Sequence, residues 1–189
     1  MGKIICFIYD QMADFEITLA FHKIKQVGKK EVVPVSYDLN PVESESGIWY
    51  APQATLAQAM AWTDMEALLI PGGPIGTQRP ELTAFIQKFD REQRIIAAIC
   101  NGPQFLGRAG VLDNRLFTTS CAVERIVQLG VADPFPRHNY VEQRVVRDGH
   151  ILTAKGRAFV DFTQAVLEAL HIYEGQEHEL EKLIADIRG

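Results

Sequence analysis

Cysteine is scarce in this chain: Cys6, Cys100 and Cys121 are the three present in 189 residues. An odd number without CxxC spacing argues against a disulfide framework and against a zinc site, so any special cysteine has to act as a thiol. Long apolar runs are missing too. No stretch reaches the roughly 18 to 20 apolar residues of a membrane-spanning helix, and the run in MGKIICFIYDQ is too short and too β-branched for a signal peptide. The MGKIIC start also lacks the Ser or Thr of the myristoylation pattern. The expected location is cytoplasmic, with no membrane partner. Basic residues are not in excess: 24 acidic against 19 basic residues give a net charge of -5. That balance removes the electrostatic footprint for nucleic acid and favours small neutral or polar ligands. The Walker pattern GxxxxGK[ST], the dinucleotide pattern GxGxxG and metal-ligand spacings such as HExxH are all lacking. Neither a cofactor nor a metal is expected.

What is present is ordinary for a globular protein, 47% hydrophobic and 23% charged, and the length fits one domain over residues 1–189. KIICFIY reads as a buried strand and DFEITLAFHKIKQVG as the helix after it, stopped by Gly28. EVVPVSY reads as a second strand, its proline marking an edge or a bulge. ESGIWYAPQ reads as a short hairpin and TLAQAMAW as a helix. EALLIPGG is a strand ending in a glycine pair, and ELTAFIQKFDREQ a helix with Leu82, Phe85, Ile86 and Phe89 on one face. RIIAAIC is a strand, followed by a short helix over 103–109 opened by Pro103 and closed by Gly110. RLFTTS reads as a strand, VERIVQLG as a helix, and VEQRVVRDGHILTAKG as a hairpin turning on Asp148-Gly149. Two amphipathic helices close the chain. Continuous apolar strands alternating with helices define an α/β fold, a flavodoxin-like doubly wound, mostly parallel sheet flanked by helices on both faces.

In such sheets ligands bind beyond the carboxyl ends of the strands. Three strand ends carry unusual residues: YDQMADFE, PGGPIG and CNGP. A thiol at a strand-to-helix turn faces unpaired N–H groups and the helix dipole, so Cys100 is expected to ionise at a pKa of about 3.5 to 7.5 instead of about 8.5. Gly102 is expected at a tight elbow that admits no side chain. Gly72, Gly73 and Gly76 offer backbone N–H groups to an oxyanion, although glycine punctuates ordinary turns as well. Glu16 in a first helical turn complements the dipole. Beside a sulfur anion it would instead have a raised pKa, stay protonated and donate to the thiolate.

In this order and over nearly all of the chain, KIICFIYDQMADFE, ALLIPGGPIG, IIAAICNGPQFLGRAGVLDNRLFT and VEQRVVRDGHILTAKG resemble the ThiJ/PfpI superfamily, the class I glutamine amidotransferase-like group that includes protein deglycases. The resemblance implies Cys100 as reactive elbow cysteine, Glu16 as its acidic partner and the Gly73 backbone as oxyanion donor. Where many members carry a histidine after the cysteine, this chain has Asn101, which cannot act as a base. His138 in PFPRHNY is the candidate imidazole from another loop, with a solvated loop residue as its plain alternative. QEHELE lacks the HxE order of glutaminases. The function implied is cysteine-dependent hydrolase or lyase chemistry on a small-molecule substrate, such as an α-oxoaldehyde, its adducts or an isocyanide. The alternatives are a non-catalytic, redox-sensing stress-response protein and an intracellular cysteine peptidase. Related proteins imply a homodimer. Cys6 reads as core, Cys121 as core or as a resolving thiol for oxidised Cys100.

Overall fold

The computed structural model describes residues 2–189; Met1, in the MGKIIC start and at the first position of the expected 1–189 domain, lies outside the described residues. The apolar run at the start forms β1 (Lys3–Phe7) and leads to α1 (Phe15–Gln26), followed by β2 (Glu31–Ser36). The polar interlude holds a two-stranded hairpin of β3 (Val42–Glu43) and β4 (Trp49–Tyr50). Next come β5 (Ala54–Thr55), α2 (Leu56–Ala59), β6 (Met65–Ile70), α3 (Pro80–Arg91), β7 (Ile95–Ile99) and α4 (Pro103–Arg108). The remainder is α5 (Val123–Leu129), β8 (Val145–Asp148), β9 (Ile151–Ala154), α6 (Phe159–Ala169) and α7 (Glu177–Arg188).

Seven strands form one sheet in the order β5-β2-β1-β6-β7-β9-β8, parallel throughout except where β8 runs against β9. This is the flavodoxin-like α/β arrangement. Alternation along β1 explains the two layers. Ile5 and Phe7 join Leu82, Phe85, Ile86 and Phe89 of α3 on one face, while Ile4, Cys6 and Ile8 pack with Ile17 and Ile24 of α1 and Phe162 and Val166 of α6 on the other. Strands covered on both sides lose any polar alternation, which is why they read as unbroken apolar runs. The strand order reverses at β1, whose neighbours are β2 on one side and β6 on the other. Loops leaving these strands diverge there and open a crevice beyond their carboxyl ends.

Four local expectations are corrected. RLFTTS is not a strand: Phe117 makes only an isolated bridge to Tyr140, because Thr118 and Thr119 spend hydrogen bonds on Thr153, on the Gln143 carbonyl and on the Cys100 carbonyl. The hairpin turns on Gly149-His150, since Asp148 pairs with Ile151 and Gly149 alone has the positive φ, +63°. TLAQAMAW yields a single turn, α2, capped by Thr55, whose hydroxyl accepts from Gln58 N while the Gln58 side chain accepts from Thr55 N. Pro34 marks neither an edge strand nor a bulge: β2 pairs in continuous register with β1 and, beyond Pro34, with the two residues of β5.

Candidate active site

The segment between β1 and α1 is strapped down at several points, and this fixes where Glu16 points. Tyr9 Oη donates to the Pro71 carbonyl at 3.0 Å, Ala13 N to the Gly72 carbonyl at 2.8 Å and Gln11 N to the Glu43 carbonyl at 2.7 Å. Asp14 is buried and accepts from Ser46 Oγ at 2.6 Å and Tyr50 Oη at 2.8 Å. Burial works against its charge, but those hydroxyls, with Ser44, outweigh it and hold the carboxyl below its ordinary range. The β3–β4 hairpin is thereby locked onto the start of α1. Glu16, in the first turn, is only 2% exposed.

Beyond β6, Gly72 N donates to Glu16 Oε2 at 2.7 Å. Beyond β7, Cys100 sits at φ +62°, a strained conformation for a residue with a side chain. The strain is overdetermined by its surroundings: Cys100 N donates to Ala154 O at 2.8 Å, while its carbonyl accepts from Ser120 N at 3.0 Å and Thr119 Oγ1 at 2.6 Å. Gly102 is needed as expected, because a Cβ there would lie 2.7 Å from the Ile70 carbonyl and 2.8 Å from that of Pro71.

Facing the sulfur are the Glu16 carboxyl, which raises the thiol pKa, and the Ser120 hydroxyl and the Asn101 backbone N–H, which lower it. Burial raises the Glu16 pKa to about 7, against the pull of the Gly72 N–H and the Cys100 contact, with Glu45 adding a further upward push. A raised carboxyl is what the sequence implied. The thiol is the reverse of expectation: burial first, then the Glu16 charge and hydrogen bond, push Cys100 up to about 12. The helix start cannot offset this. Pro103 has no N–H, and the amides of Gly102, Gln104 and Phe105 are spent on the carbonyls of Ile99, Asn101 and Gly102. The two groups therefore titrate as a pair. One proton leaves near pH 7, from the carboxyl, and the sulfur keeps its own until far higher pH.

Glu16, Gly73, Cys100 and Asn101 all line one crevice of about 810 Å³, with Ser120 and Gly156. Asn101 is no base but a tether: its Nδ2 donates to the Gly73 carbonyl at 2.8 Å. The Gly73 N–H donates to no backbone or side-chain acceptor among the described residues. His138 is not brought to the site. It lies exposed in a 3-10 turn, Arg137–Asn139, and no histidine lines the crevice among the described residues. Cys6 is buried in the core. Cys121 is buried and opens on a neighbouring cavity of about 440 Å³ that shares Ser120 with the first.

Two participants were not foreseen. Gly156 follows β9 and donates its N–H to Ser120 Oγ at 2.8 Å, while Ser120 reaches the sulfur. The only sequence signals were a glycine after the last apolar strand and a serine after RLFTT.

The fold and the elbow thiol together define a flavodoxin-like α/β protein with a cysteine–carboxyl pair at its topological switch point. The chain belongs to the DJ-1/PfpI family, whose model matches residues 2–169. It is 27% identical over 168 residues to an isonitrile hydratase from Pseudomonas putida, covering 86% of this chain and 69% of that one. It is also 27% identical over 157 residues to a deglycase from Thermococcus kodakarensis, covering 81% and 89%. Among solved structures, a DJ-1 superfamily protein from Agrobacterium tumefaciens superposes with a TM-score of 0.82 at 28% identity, over 98% of this chain and 99% of that one. Among the described residues, no helix is long and apolar enough to cross a membrane.

Proposed function

We propose that Cys100 is a nucleophile toward small carbon electrophiles and that Glu16 carries its proton. The observation that carries this reading is the contact of the sulfur with a carboxyl of pKa about 7, inside a crevice large enough for a small molecule. A carboxyl raised to that value exchanges its proton near neutral pH, where a general acid or base is most useful. In the addition step the Sγ proton passes to the Glu16 carboxylate as the S–C bond forms. With a carbonyl the π electrons move onto oxygen and Glu16 returns the proton there, giving a hemithioacetal. With an isonitrile the terminal carbon that takes the sulfur also takes the proton, giving a thioimidate; in both, every atom of thiol and electrophile is retained. The free Gly73 N–H is the donor proposed for the developing negative charge, held in place through its own carbonyl by Asn101. The names of the relatives, isonitrile hydratase and deglycase, fit electrophiles of this kind.

A redox-sensing role would use the same sulfur, with the Ser120 and Asn101 donors serving an oxidised form. A panel of isonitriles and dicarbonyls offered to the wild type and Cys100→Ser separates the two. Product formation lost in Cys100→Ser is the expected result. No turnover of any substrate, together with a stoichiometric peroxide-driven mass gain at Cys100, overturns the nucleophile in favour of sensing.

A further inference from the structure

Arg157 follows directly on the glycine that packs against Cys100, and it lines the same crevice. Its guanidinium makes no salt bridge and no side-chain hydrogen bond among the described residues. Its neighbours are different: Arg144 pairs with Asp161 at 2.6 Å, and Arg188 pairs with the other oxygen of the same carboxylate. The local acidic partner is thus consumed twice over, and Arg157 is left with five unclaimed donors in a planar fork that matches a carboxylate. The charge on the crevice is not uniform. Glu45 also lines it, and its charge is felt by Glu16, so an anion entering without a counter-charge would be repelled.

An apolar seat lies beside the guanidinium. Phe15 and Phe159 line the crevice, meet edge to face at 5.8 Å, and Phe15 is 51% exposed. A neutral electrophile such as a small dicarbonyl would leave the fork unused. Resting on the reading that Cys100 is the nucleophile, we infer that Arg157 determines specificity by binding a carboxylate on the electrophile. The substrate class is then a small carboxylate-bearing electrophile, its hydrocarbon part against Phe15 and Phe159 and its reactive carbon at Cys100.

Two reagents that differ only in this charge test the inference without knowledge of the substrate. Both iodoacetate and iodoacetamide alkylate a thiol with loss of iodide, and mass spectrometry locates the product on Cys100. The ratio of their second-order rate constants is the readout, because it cancels changes in the thiol itself. Charge-assisted bidentate pairing is worth about a tenfold effect or more. The ratio of iodoacetate to iodoacetamide is therefore expected to fall at least about tenfold in Arg157→Gln, to recover in part in Arg157→Lys, and to rise in Glu45→Gln. A ratio unchanged in Arg157→Gln, with Cys100 still alkylated, overturns the assignment and leaves the nucleophile intact. Failure of both reagents to modify Cys100 in the wild type overturns the nucleophile and this inference with it.

Discussion

Glu16 and Cys100 are pressed together between the same two glycines. A Cβ on Gly72 would lie 2.5 Å from Glu16 Oε2 and 3.0 Å from Cys100 Sγ, and one on Gly156 would lie 2.6 Å from Glu16 Oε1 and 3.0 Å from the sulfur. Neither position leaves room for a side chain, so the pair is walled by bare backbone from β6 on one side and β9 on the other.

Coupled titration has a kinetic signature. The pair loses its first proton near pH 7, from Glu16, and its second near 12, from the sulfur. Alkylation of Cys100 by iodoacetamide should therefore have a midpoint above the value of about 8.5 for a free cysteine. In Glu16→Gln the charge and hydrogen bond that push the thiol up are gone while the burial cost remains, so the midpoint moves downward. A midpoint unchanged in the variant means that the two groups are not coupled.

Stability should follow the same carboxyl. Glu16 holds its proton more tightly in the folded state than at its ordinary value of 4.5. Its contribution is thus fully present below about pH 4.5 and is lost as pH rises through about 7. With a residue this buried, the difference between pH 5 and pH 8 is on the order of 2 kcal/mol. Glu16→Gln cannot ionise and escapes that loss. In urea unfolding, the stability of the variant relative to the wild type should improve from pH 5 to pH 8; a gap independent of pH contradicts the raised pKa.

Gly156→Ala isolates the steric constraint, because the backbone at this glycine lies outside the left-handed region and only the added methyl is at issue. Overpacking of this kind costs about 1 to 3 kcal/mol. The methyl must also drive the carboxyl off the sulfur. The variant is expected to unfold at a lower temperature and to show the same downward shift of the alkylation midpoint as Glu16→Gln. A destabilised variant with an unshifted midpoint would mean that the carboxyl had stayed on the sulfur.

The sheet was legible because strands buried on both faces carry their own signature in consecutive residues, as in IIAAI and EALLI. Cys100 and Glu16 were legible for a related reason: each stands at the end of a recognisable strand, and the elbow segment resembles a family. Gly156 and Ser120 were hidden. They reach the sulfur only because β9 pairs with β7, a long-range choice that no local pattern records. The direction of the thiol pKa was hidden too, since it depends on burial and on which helix-start amides remain free. RLFTTS reads as a strand by composition, yet its threonines are drawn off to Cys100 and Thr153. Asn101 shows the limit of reading a residue by its type alone: excluded as a base, it holds the Gly73 loop.

Ser120 is the hinge of the remaining network, and its removal tests whether the sulfur is held by hydroxyl as well as by carboxyl. Its Oγ accepts from Gly156 N and stands beside the sulfur, where it lowers the thiol pKa against the pull of burial. Ser120→Ala therefore removes two bonds at once. The loss at Gly156 strands a buried N–H and costs about 1 to 3 kcal/mol of stability. The loss at sulfur removes a donor that favours the charged form, so the thiol pKa rises further. The expected result is an alkylation midpoint moved upward, with slower alkylation at every pH below it. Ser120→Thr keeps the hydroxyl and should restore most of the rate. If Ser120→Ala alkylates as fast as the wild type, the hydroxyl does not face the sulfur and the thiolate relies on the Asn101 amide alone.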